Sequence, residues 1–249
     1  MMARNRHKWD PICGPPTGLV RPVPIDPRGI RGPTRGRAYG PRWRLTTPGL
    51  FVPAHITDAV PEQRILEQSM RLRDGGAVTG WGSLRMNGGN FFDGLMTDRL
   101  TELPVDLCTG PLSQIRKAAG IALSRDRLLP AEVLVRHGVP CTRVLRATFD
   151  AMRKAPSLLE AVVVMDMVAA AELASISQML AYVETRSGWE GVQQVRDALA
   201  LADEDSRSPN ETRMRFIWQI NAGFPRPLVN RPVWDLNGTC WDTRTSSIP

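Results

Sequence analysis

The chain has 249 residues, 42% hydrophobic and 23% charged, with a formal net charge of +7 at pH 7. This apolar content suffices for buried cores, but no apolar run approaches the roughly 18 residues that cross a bilayer, which excludes a membrane partner. The four cysteines (Cys13, Cys108, Cys141 and Cys240) lie far apart and form no CxxC pair, so neither a metal site nor a disulfide framework is expected. Reduced thiols in a cytoplasmic protein are the reading, and the opening "MMARNRHKWDP" lacks the apolar segment of a secretory signal.

The charge is lopsided. Residues 1–44 hold ten Lys/Arg and two Asp/Glu, whereas the remainder holds twenty-two and twenty-three. A basic stretch at one end is the electrostatic footprint of nucleic-acid binding, and equally of a solvated arm. Residues 1–33 are rich in Pro and Gly, have no helical or alternating period, and are read as an extended basic arm. Residues 34–58 read as a reduced winged-helix-like segment. A short basic stretch with Arg35 and Arg37 precedes "RWRLTTPGLFVP", a β-hairpin turning at Pro48 and Gly49. Gly36, Gly40 and Pro41 weaken any helix before it. Arg35, Arg37, Arg42 and Arg44 are the candidate DNA-backbone contacts. Trp43, between two arginines, is the candidate to pack on a sugar.

Residues 59–205 form the central part. "PEQRILEQSMRL" places Ile65, Leu66, Ser69, Met70 and Leu72 on one helical face. Thr79 is read as the N-cap of a helix that stops at Gly88–Gly89. "ELPVDLCT", "GIALSRD" and "EVLVRHGVPCT" are short apolar runs bounded by turn residues, the strands of a small sheet. From Thr142, read as a cap, the chain is nearly all helix. Ser157 with Glu160 and Ser175 with Gln178 are capping boxes, and "GWEGVQQVRDALALAD" is a last amphipathic helix.

Residues 206–249 open with "SRSPNETRMRF", which combines a Ser208 N-cap, Pro209 at the first helical position and Glu211 three residues after the cap. Met214, Ile217 and Trp218 are read as facing inward. A strand over Leu228–Trp234 and a turn at Asn237–Gly238 follow. Helix, strand and turn are also how a restriction-endonuclease-like core begins. Its Mg²⁺ chemistry needs several carboxylates, of which Glu211 alone is in place. The competing reading of Glu211 is a cap and nothing more.

Other chemistry-bearing residues have ordinary readings. His7, His55 and His137 are scattered. His137 near Cys141 invites a Cys–His nucleophile, against which stands a turn before a short strand. Asp150 and Asp166 on neighbouring helices are either a carboxylate pair or partners of Arg146 or Arg153. No cofactor motif is present.

The blocks "RWRLTTPGLFVPA", "AVTGWGSLRMNGG", "RHGVPCTRVLRATFDAMR", "GWEGVQQVRDALALAD" and "SPNETRMRFIWQINAGFPRPLVN", in that order, resemble the actinobacterial AbiEi-type (abortive infection, type IV toxin–antitoxin) antitoxin-like family. The resemblance covers about residues 25–238. It implies a winged helix on operator DNA, a central antitoxin domain whose partner is a nucleotidyltransferase toxin encoded nearby, and a DUF559-like C-terminal domain related to very-short-patch-repair endonucleases. The chain departs from the family where most of the recognition-helix sequence is missing and where "TCWDTRTSSIP" replaces later strands. Residues Thr239–Pro249 can be encoded so that a shifted frame reads "LLGHPDLLDP", which resembles a missing strand and its Asp. A frameshift after Gly238 is the corresponding expectation. The combined reading is an α+β, mostly helical protein. It is an AbiEi-like antitoxin or DNA-binding transcriptional regulator without catalysis, cofactor or metal. The alternatives are an inactive relic of a Mg-dependent nuclease-like protein, or a weak DNA endonuclease using Glu211.

Overall fold

The computed structural model describes residues 10–230 together with two short strands, Val233–Trp234 and Cys240–Asp242. The fold is mixed α+β. Two compact units divide the chain, one made of residues 14–87 and 92–147, the other of residues 1–13, 88–91 and 148–249. The expected boundaries after residues 33, 58 and 205 do not coincide with this division.

In the first unit, β1 (Val23–Pro24), β2 (Trp43–Thr47) and β3 (Leu50–Pro53) make an antiparallel sheet of order β1-β3-β2. The expected hairpin is β2–β3, and Gly49 takes the positive φ (80°) that its turn requires. No helix stands directly before it, in line with the weak helical character of that stretch. The Arg37 and Ala38 amides both donate to the Thr34 carbonyl, and residues 35–39 form turns, since Gly36, Gly40 and Pro41 leave too short a run for a helix. The arm also differs from expectation: from residue 14 to residue 33 it belongs to this unit. Val23 and Pro24 pair with Phe51 and Leu50. The Gln63 side-chain amide holds the Val20 backbone at both its N–H and its C=O, each at 2.9 Å.

Helix α1 (Pro61–Ser69) buries Ile65, Leu66 and Ser69 as its periodicity predicts, and it also buries Glu62, Gln63, Arg64 and Glu67. Each polar group has a partner, and Gln63 also donates to Glu67 at 2.9 Å. Glu62 accepts from Arg85 Nε at 2.6 Å, and Arg64 donates to the Gly94 carbonyl (2.9 Å) and pairs with Glu102 (2.5 Å). Glu67 takes a two-point contact from Arg44.

After α1 the chain forms β4 (Ala77–Val78), α2 (Gly80–Met86), β5 (Val105–Cys108), β6 (Ile121–Ser124), β7 (Val133–Arg136) and β8 (Val139–Thr142). The strands build one sheet of order β6-β5-β4-β8-β7. Four of these five strands lie in the three runs that the sequence marks. The parallel β4–β8 pairing sets Val78 beside Cys141, which brings Thr79 and Thr142 together at their ends. Their hydroxyls bond each other at 3.0 Å. Neither acts as the expected cap: Thr79 occupies the N-cap position of α2 without a side-chain cap bond, and Thr142 closes β8. His137 (φ 48°) and Gly138 (φ 78°) form the two-residue turn between β7 and β8. The parallel β5–β6 pair is joined by residues 109–120, which contain no helix, although such crossovers are usually helical.

Helix α3 (Val144–Arg153) leads into the second unit, followed by α4 (Leu158–Ala170), α5 (Ile176–Glu184), α6 (Val192–Leu201) and α7 (Pro209–Phe216). Ser157 accepts from the Glu160 amide, Ser175 and Gln178 cap each other, and Ser208 accepts from the Glu211 amide. A π-turn over Ile217–Asn221 extends α7 and ends before Gly223 (φ 68°). Of the strand expected over Leu228–Trp234, the described residues show β9 (Val233–Trp234), which pairs antiparallel with β10 (Cys240–Asp242); Leu228–Asn230 is not strand. His7, the Asn237–Gly238 turn and, apart from the β10 backbone, the tail after Gly238 lie outside the described residues.

The inward face of α7 corrects the sequence reading. Met214 and Ile217 are about half exposed, and the buried residues are Thr212 and Arg215. The cause is Asp166, buried on α4. Its carboxylate accepts from Arg215 Nη2 (2.5 Å), Thr212 Oγ1 (2.8 Å) and the Asp203 amide (2.7 Å). Burial pushes the Asp166 carboxyl up, against the Arg215 guanidinium that holds it down. A helix whose partner is a buried anion turns its polar side to the core.

Candidate nucleic-acid interface

The first unit presents a basic surface segment before and at the start of the β2–β3 hairpin. Asp26 folds residues 26–33 into a loop. Its carboxylate accepts backbone N–H bonds from Arg28 (2.9 Å), Ile30 (2.9 Å) and Arg31 (2.8 Å), and its own amide donates to the Pro33 carbonyl. These donors, that of Arg31 foremost, hold its carboxyl below the usual carboxylate range. Asp26 therefore serves the backbone and makes no ion pair with the neighbouring guanidinium groups among the described residues. Thr34 then anchors the next turn, which carries Arg35 and Arg37.

Arg28, Arg31, Arg35, Arg37 and Arg42 are all exposed, and among the described residues none of the five is paired with a carboxylate. Tyr39, also exposed, rests its ring edge-on against buried Phe51 at 5.5 Å. The segment thus rests on the sheet core and directs five charges to solvent.

The sequence-marked candidates separate here. Arg35, Arg37 and Arg42 lie on this exposed segment, and Trp43 is half-buried at the start of β2. Arg44 does not share their situation. Its guanidinium is engaged by Glu67 (2.6 and 3.0 Å), the Ile56 carbonyl (3.1 Å) and Asp58 (3.4 Å). Successive strand residues point to opposite faces, and Arg44 is on the face that meets α1. It positions the hairpin. Arg28 and Arg31 were missed by the sequence reading, although "DPRGIR" carries the signal, an Asp followed by a Pro-Arg-Gly turn.

The remaining candidates have structural duties. Glu211 accepts from Ser208 Oγ (3.1 Å), the Arg207 amide (2.9 Å) and Asn230 Nδ2 (2.7 Å), so its carboxylate caps α7. Asp150 pairs with Arg153 at 2.9 Å, whereas Arg146 pairs with Glu132. Cys141 is buried, which pushes its thiol up to about 12, and His137 sits exposed on the turn. A thiol held neutral in a sheet is a poor nucleophile. Among the described residues no group of three or more His, Cys, Asp or Glu is placed to hold a metal ion.

The fold defines the chain as a mixed α+β protein with a basic surface segment beside a small sheet. No family model, curated protein or solved structure matches it.

Proposed function

We propose that this chain is a DNA-binding regulator of the AbiEi-like antitoxin kind, which holds the phosphate backbone with the Arg28–Arg42 segment. The observation that carries the reading is the set of five exposed arginines without carboxylate partners among the described residues, on a segment fixed by the Asp26 loop and the sheet beneath. In this reading β2–β3 acts as a wing without a recognition helix before it. Binding is then dominated by phosphate contacts, which position a protein on DNA but carry no base information. The toxin partner encoded nearby is part of the same proposal and rests on the resemblance alone. The α7 helix with β9 and β10 is read as the start of a nuclease-like end, and no catalytic step is assigned to Glu211, whose oxygens cap its own helix.

The test is fluorescence anisotropy on a labelled duplex of arbitrary sequence between about 50 and 200 mM salt. Replacing Arg35, Arg37 and Arg42 together by Ala is expected to weaken binding at least tenfold at the low-salt end. It should also flatten the log–log salt slope by about 3, one for each lost phosphate contact. Wild-type protein that fails to bind at low salt, or a triple variant that binds equally well, removes the reading.

A further inference from the structure

The five-stranded sheet ends on β7, whose outer edge meets no other strand among the described residues. Natural edge strands are blunted by charge, by proline or by a covering segment, because their spare backbone groups template pairing. Strand β7 reads Val133, Leu134, Val135, Arg136, apolar for its first three positions.

The register fixes which backbone groups are spare. Arg136 stands opposite Val139 across the two-residue turn. In such a hairpin the pair beside the turn is hydrogen-bonded and the next pair is not. Val135 is in that next pair, and opposite it stands Pro140, which has no N–H to donate. The N–H and C=O of Val135 therefore point away from β8, and its side chain is 68% exposed. Two residues earlier the Val133 C=O points the same way, while the Val133 N–H is taken by the Pro130 carbonyl.

A cavity of about 640 Å³ opens along this strand, within the range of clefts that bind ligands. Val133 and Val135 line it, together with Ser69, Arg21 and Arg73. Arg21 is anchored by donating to the Gly138 carbonyl at 3.4 Å, and Arg73 is exposed. Asp74 supplies a single carboxylate against these two guanidinium groups. The cleft therefore offers an apolar wall, a cationic rim and a strand edge with both donor and acceptor spare.

We propose that β7 is a strand-addition site for an extended segment of a partner protein that carries apolar and acidic side chains on one face. Main-chain bonds to Val135 would hold the segment, its apolar side chains would enter the cleft, and carboxylates two residues along, on the same face, would meet Arg21 and Arg73. A second copy of this chain fits less well. A two-fold contact places the same patch on both sides, so each copy's Arg21 and Arg73 would face their like.

The experiment uses the full chain and a fluorescent eight-residue peptide that repeats Val-Thr-Glu-Thr, which sets valine and glutamate on one face, with the same peptide carrying lysine in place of glutamate as control. The acidic peptide is expected to bind saturably. Val135→Pro removes the spare N–H at an edge position where proline is tolerated, and should lower its affinity at least tenfold. Arg73→Glu should do the same. N-methylation of alternate peptide nitrogens, with the protein unchanged, should reproduce the loss and covers a proline variant that fails to fold. The proposal is overturned by absence of saturable binding, by equal binding of the lysine peptide, or by an unaltered affinity in a folded Val135→Pro variant. Concentration-dependent dimerisation abolished by Val135→Pro would also overturn it, because the edge would then belong to a second copy.

Discussion

Helices α1 and α7 are nearly equal in length and handle buried charge in opposite ways. In α1 the ion pairs supplement an apolar contact: Ile65 and Leu66 are buried, while Glu62, Arg64 and Glu67 reach separate segments of the same unit. In α7 the polar contact replaces the apolar one, since Arg215 and Thr212 face inward to Asp166 and Met214 and Ile217 face solvent. Charge buried beside a hydrophobic anchor can be lost in part. Charge that is itself the anchor leaves an unpaired ion in the core when its partner goes.

The largest effect should come from α7. Asp166→Ala is expected to lower the stability of the chain by about 3–5 kcal/mol in urea denaturation, because Arg215 stays buried without its carboxylate. Joint replacement by Asp166→Leu and Arg215→Met should recover most of that loss. A loss below about 1 kcal/mol for the single variant would erase the contrast between the helices. Next comes Glu67→Ala in α1, expected to lose about 1.5–3 kcal/mol as charged hydrogen bonds are removed. Its partner Arg44 has a side chain 27% exposed and can turn to water. The smallest is Ile217→Gln, expected to change stability by less than about 0.5 kcal/mol, as at other exposed positions. A loss several times larger would return Ile217 to the interior that its apolar character alone suggests.

Features that depend on neighbours in sequence were legible. Strands β5 to β8 follow from short apolar runs between turn residues, the β7–β8 turn from His137–Gly138, and the α5 and α7 starts from their capping residues. What depends on distant partners was not. Nothing near Arg215 marks Asp166, 49 residues earlier, as its partner, so the sequence alone points to the apolar residues of α7 as its inner face. Likewise nothing near Arg44 shows that Glu67 lies beneath the hairpin, and this removed it from the basic candidates. The Pro/Gly-rich arm has no period to read, because it is attached by scattered single contacts, among them the Gln63 side chain, two residues of edge strand and the Arg21–Gly138 bond. At the candidate interface, Arg35, Arg37 and Arg42 were visible from charge alone. The loop that adds Arg28 and Arg31 has only a short Asp-Pro-Arg-Gly turn as its sequence signal.

The helix-free connection between β5 and β6 has a consequence for handling the protein. It leaves Arg116 and Lys117 exposed and Leu112 93% exposed, the kind of accessible loop that proteases enter first. Trypsin should cut there before it cuts the helices. The fragments would stay together through the four register pairs from Val105–Ile121 to Cys108–Ser124, so the nick would be invisible by size exclusion and appear only on a denaturing gel.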